Sequence, residues 1–161
     1  MTIFCGIDPG KDGGIAFVGD DITPVAYAAV VGAKKRRDLI CQHENIKVCI
    51  EKSQAFPGQG SVSNHSTGMD YAQWLTILEV YDIPFQVVPV QTWQKVMLVG
   101  KPSPSGKPKN LHRKSIKAFA AIVAQRLFPG VDLKRTAACK GPHDGAVDAL
   151  LIAEYCRRVW K

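Results

Sequence analysis

A chain of 161 residues, 46% hydrophobic and 22% charged, suits one globular domain with a real core, and it has neither an apolar run long enough to span a bilayer nor an opening signal peptide. Its cysteines (Cys5, Cys41, Cys49, Cys139 and Cys156) are scattered and odd in number, which argues against a paired zinc site and for a reducing, intracellular compartment. The formal net charge of +7 favours a polyanionic partner, although charge alone does not choose nucleic acid over an acidic membrane surface.

The chain opens with two short apolar runs, Ile3–Ile7 and Ile15–Val18, flanking a turn of Pro, Gly, Lys and Asp. That pattern predicts a β-hairpin. Asp8 stands where the first strand stops, beside glycines that leave room for a metal or a phosphate. We read it as the first ligand of a metal site. An ordinary Asx turn at Asp-Pro-Gly accounts for it equally well. Ile22 to Val31 continues a meander, and the cluster Lys34-Lys35-Arg36-Arg37 leads into a short helix over 38–44. A solvated helix face explains that cluster better than a DNA contact does. Ile46–Ile50 is a clean strand, and Glu51 ends it as Asp8 ends the first. If the two strands pair side by side, their ends lie about 4.8 Å apart and both carboxylates can share a cation.

Residues 52–66 form a polar loop of the length that usually carries function. Ser66 or Thr67 is placed to cap a helix running to Tyr81, with Tyr71, Trp74, Leu75 and Leu78 at helical spacing. Most of that stripe belongs in a core, and part of it can serve a dimer seam. A last strand is expected over 83–90, with prolines at its boundaries, and a short helix over 91–99. From Ile83 to Val131 there is no Asp or Glu, while Lys95, Lys101, Lys107, Lys109, Arg113, Lys114, Lys117 and Arg126 fall in that stretch. An acid-free basic block is a footprint for a phosphate backbone, because ordinary surfaces mix both signs. The segment 100–110 is rich in Pro, Gly, Ser and Lys and reads as a mobile loop; a helix follows over 111–128.

The final helix carries Asp144 and Asp148 four residues apart, hence on one face about 40° from each other. Asp144 alone can be a cap responding to the helix dipole. Asp148 is set among Ala146, Val147, Ala149, Leu150 and Leu151, where an unpartnered carboxylate is costly. Four acids at element ends form an all-oxygen set of the kind hard divalent cations choose. Two such ions can clamp the attacking and leaving oxygens of a phosphodiester. His143 precedes the set and can steer water or phosphate; a cap or hinge is its plainer role.

On these pieces (Gly6-Ile7-Asp8-Pro9-Gly10, Ile50-Glu51 and Asp148-Ala149-Leu150, in that order) the chain resembles the RuvC family of Holliday-junction resolvases, within the RNase H-like superfamily. The likeness spans nearly the whole chain and is nearest to small phage, viral or organellar members. It implies an α/β fold with a mixed five-stranded sheet flanked by helices, in a single nuclease domain over 1–161. It also implies a homodimer that cuts four-way DNA symmetrically in recombination or repair, using magnesium or manganese, two ions per site. Asp8, Glu51 and Asp148 match the family's acidic positions. The fourth acidic or His position falls on Gly145, so Asp144, one residue earlier, is taken in its place, with His143 next. Lys95 and Lys114 match basic residues near the scissile phosphate, and Phe56 is placed as the aromatic near the junction centre. The site of action implied is the cytoplasm of a bacterial or phage-infected cell, with an organellar matrix as the other option. Actin-like kinases share the opening strand but need two domains to enclose ATP. Another RNase H-like nuclease and a non-catalytic junction binder are the remaining alternatives.

Overall fold

The computed structural model describes residues 1–53, 61–103, 106 and 108–160, the side chains of 61–64 excepted. The elements are β1 (Ile3–Asp8), β2 (Gly14–Val18), β3 (Val25–Ala28), α1 (Ala33–Cys41), β4 (Ile46–Glu51), α2 (Ser61–Val80), β5 (Phe85–Val88), α3 (Val90–Met97), α4 (Lys109–Leu127) and α5 (Asp144–Val159). The strands form one mixed sheet in the order β3-β2-β1-β4-β5. The β1–β2 and β2–β3 pairs are antiparallel, each joined by a short connection. The β1–β4 and β4–β5 pairs are parallel and are reached through helical crossovers.

Side chains alternate across the sheet. Cys5, Ile7, Ile15, Phe17, Val48 and Ile50 face one layer, where they pack with Ile40 of α1 and Trp74, Ile77 and Leu78 of α2. Ala16, Val18 and Cys49 face the other, packing with Trp93 of α3, Ala120 and Ala124 of α4, and the length of α5. Each large aliphatic or aromatic side chain fully buried this way contributes about 1.5–3 kcal/mol. From Gly145 to Cys156 every residue of α5 is buried except Asp148. A helix apolar on all sides belongs inside the fold, and α5 lies directly across β1. Gly6 makes that crossing possible: a Cβ there would fall 2.1 Å from the carbonyl oxygen of Ala149 and 2.2 Å from the nitrogen of Ala153.

Several boundaries differ from the sequence reading. The first helix begins at Ala33 rather than 38, so the basic cluster lies within it. Arg36 is not on a solvated face; it is buried at 2% exposure, while Lys34 and Lys35 remain exposed. The second helix starts at Ser61, so neither Ser66 nor Thr67 caps it. Trp74 and Leu78 are core residues, which removes them from a dimer seam, while Leu75 is half-buried against the same cluster. Lys109 opens α4 instead of lying on a loop, and the Lys101 ammonium donates to Gln94 Oε1 at 3.3 Å. Phe56 and Lys107 lie outside the described residues.

Candidate active site

The alternation that builds the core also aims the acids. Asp8 shares its sheet face with Phe4 and Gly6, and Glu51 shares its face with Lys47 and Cys49; both are on the α5 side. The parallel register sets Ile7 beside Ile50, so Asp8 and Glu51 follow as neighbours at the C-terminal ends of adjacent strands. Because α5 rests on Gly6 through Ala149, Asp148 stands just beyond that contact, toward the same edge.

The three carboxylates feel one another. Burial pushes the Asp8 carboxyl well above the usual carboxylate range, the Asp148 and Glu51 charges add to it, and the Lys117 ammonium opposes. Burial likewise raises Asp148, with the Glu51 and Asp144 charges, to about 7. Glu51 is raised by burial against the pull of a hydrogen bond from Trp93. Trp93 Nε1 donates that bond to Glu51 Oε2 at 2.7 Å, fixing one carboxylate oxygen. Half-buried like charges of this kind call for a cation, and an all-oxygen set fits a hard divalent ion. Among the described residues, no three His, Cys, Asp or Glu side chains are gathered closely enough to hold a metal ion as they stand.

Asp144 begins α5 and is ion-paired with Lys117 of α4; both side chains are about half exposed. The Lys117 charge also acts on Asp8 and Asp148, in addition to its place in the basic block. Gly145 stands where the resemblance led us to expect an acid or a His, and the packing explains it. A Cβ at 145 would lie 2.3 Å from the Asp12 carbonyl oxygen and 2.5 Å from the Gly13 carbonyl carbon. The start of α5 presses backbone to backbone on the β1–β2 turn, so no side chain fits. His143 is at the N-cap position, yet its side chain makes no capping bond. Its main-chain N–H donates to Leu133 at 2.7 Å, and the imidazole Nδ1 is buried with no partner among the described residues.

Lys117 brings α4 to this edge. Arg113 and Lys117 are one turn apart on α4, with Lys114 and Lys109 exposed on the same helix. Lys95 is exposed in the last turn of α3, the helix that delivers Trp93 to Glu51. Sequence reasoning missed Trp93, which reads as one more apolar position of a short helix. It also missed Asp70 of α2, whose Oδ2 accepts a 2.7 Å bond from the Gly10 N–H beside Asp8. No pattern marks a lone Asp in a helix as a partner of a turn 60 residues away.

No protein-family model and no curated protein sequence matches the chain. Solved structures do. The fold is similar to RuvC of T. thermophilus bound to a Holliday junction substrate, with a TM-score of 0.62 and 13% identity, over 98% of this chain and 96% of that one. A further Thermus thermophilus RuvC structure matches with a TM-score of 0.55 and 14% identity, covering 97% and 95%. The yeast mitochondrial Holliday junction resolvase Ydc2 matches at 0.51 and 11% identity, covering 98% of this chain and 78% of that one. The mixed five-stranded sheet flanked by helices is thus a RuvC-like, RNase H-like fold.

Proposed function

We propose that this protein is a structure-selective DNA endonuclease that resolves four-way junctions by divalent-metal-dependent hydrolysis of phosphodiesters. The observation that carries the reading is the convergence of Asp8, Glu51 and Asp148 on the α5 side of one sheet edge, flanked by a basic helix. The similarity to two resolvase folds, one solved on a junction, supports the choice of substrate. Asp8, Glu51 and Asp148 would hold magnesium or manganese, which supplies Lewis-acid polarisation of the phosphate and an activated water. Trp93 orients Glu51, and Asp144 extends the acidic set. Lys117, Lys114, Arg113, Lys109, Lys95 and Lys101 hold the phosphate backbone. His143, whose buried Nδ1 has no partner among the described residues, would orient water or phosphate. Two nicks per junction call for two such sites, hence a homodimer. The free cysteines support action in a reducing compartment such as the cytoplasm.

A side-by-side cleavage assay with magnesium tests this reading on a four-way junction, a linear duplex and an RNA–DNA hybrid. Paired nicks confined to the junction are expected. Preferential cutting of the hybrid would replace it with another RNase H-like nuclease. Tight junction binding without cutting would leave a binding module.

A further inference from the structure

Arg36 came from a basic cluster that suggested solvent, yet it is one of the largest fully buried side chains. Its guanidinium is fully engaged. Nε and Nη2 donate to the carbonyl of Val30 at 3.1 and 3.0 Å, and Nη1 donates to Gln73 Oε1 at 3.0 Å. The plane lies 4.8 Å over the Trp74 ring, and Nη2 is ion-paired with Asp70 Oδ1. Asp70 uses its other oxygen to accept from the Gly10 N–H. Both oxygens of Asp70 are therefore committed, so it is not a free ligand. Its charge nonetheless reaches Asp8, two residues before Gly10. Removing a charge pair from water is expensive, and a hydrophobic pair of the same volume often serves stability as well. Stability alone gives no reason for the pair to sit here, at the turn that follows Asp8.

We infer that Asp70, held by Arg36, is a positioning residue that clamps the Gly10 turn so that the Asp8 carboxylate stays aimed at Glu51 and Asp148. This rests on the nuclease reading above. It assigns to α2 a role in metal binding through the main chain of the hairpin turn. Residues that orient a metal ligand typically alter affinity or activity by about 10- to 100-fold when replaced.

The test uses the full chain and three proteins: wild type, D70N, and the double variant R36M/D70L. The Asn side chain keeps an oxygen for the Gly10 N–H but leaves Arg36 without a counter-charge, so D70N should melt lower. The double variant keeps buried volume without charge, so it should melt near wild type, but it gives Gly10 no acceptor. Mn2+ affinity is measured by calorimetry, and kcat and KM are measured on a junction at saturating metal. D70N is expected to bind Mn2+ within about threefold of wild type. R36M/D70L should bind about 10- to 100-fold more weakly, with kcat reduced and KM for DNA unchanged. Between the two variants metal affinity then ranks opposite to melting temperature, an order that a merely structural pair does not give. Wild-type Mn2+ affinity and kcat in the double variant overturn the assignment while leaving the nuclease reading intact. Affinity that simply follows melting temperature also overturns it. A wild-type protein that neither binds Mn2+ nor cuts any DNA overturns the nuclease reading and this inference with it.

Discussion

Asp8 and Glu51 were legible in the sequence because a carboxylate at the end of an apolar strand has few inexpensive places to go. Their neighbour relation follows from strand register, and Asp148 joins them because α5 can approach β1 only across Gly6. Replacing Asp8 with Asn or Glu51 with Gln should abolish junction cleavage. Junction binding should be kept or tightened, since negative charge facing phosphates is removed. Gel-shift and cleavage assays run together check this, and wild-type cutting by both variants would sink the site assignment. Trp93 and Asp70 were not legible, because each acts through one hydrogen bond set by tertiary packing rather than by local pattern. Gly145 looked like a departure from a motif and proves to be a packing requirement. The substitution G145D is expected to lower the melting temperature rather than restore a fourth ligand, since even a Cβ overlaps the Asp12–Gly13 backbone. A melting curve like that of the wild type would show that the start of α5 can move away from the turn.

At the scale of elements, strand and helix order followed from the alternation of apolar residues, while the starts of the first two helices did not. The first turns of α1 and α2 are polar, and α2 lacks an acid in its first turn, so nothing local announces either start. The acidic edge shared by β1, β4 and α5 has a consequence for pH. Its carboxyls are raised in the folded state, Asp148 to about 7. The folded protein therefore binds more protons than the unfolded chain between the ordinary carboxylate range and about pH 7. Without metal, this contribution to stability is complete at low pH and is lost as pH rises through about 7. Melting in EDTA should fall between pH 5 and pH 8, D148N should flatten that fall, and added magnesium should oppose it. An identical pH slope in D148N would refute the account. Reversing the charges of Lys101, Lys107 and Lys109 together should weaken junction binding and flatten its salt dependence, by about 0.9 in log–log slope per lost phosphate contact. An unchanged slope would remove these lysines from the interface.

At the scale of the molecule, a four-way junction has approximate two-fold symmetry, whereas the chain carries one acidic set. Under the proposed function two chains must act on one junction, and a two-fold dimer supplies both sites with matching symmetry. Trp74 and Leu78 do not make that seam, because they are buried in the core, and Leu75 is half-buried against the same cluster. The sequence misled here because a helical apolar stripe says that a face is covered, not by what. The opposite face of α2 remains: Met69 and Val80 are 52% and 67% exposed, with Ala72, Gln73 and Thr76 exposed between them. These positions recur at helical spacing, and none of the five is charged, unlike the basic surface of α4. We expect the dimer to form through this face. The substitutions M69K and V80K together should shift sedimentation from dimer to monomer while leaving melting nearly unchanged, since exposed positions lose little on replacement. On a plasmid carrying an extruded cruciform, paired nicks linearise the circle and a single nick only relaxes it. The wild-type protein should give linear product and the double variant mostly nicked circle. A variant that stays dimeric would move the seam elsewhere. A single chain per junction that still linearises the plasmid in one encounter would remove the need for a dimer altogether.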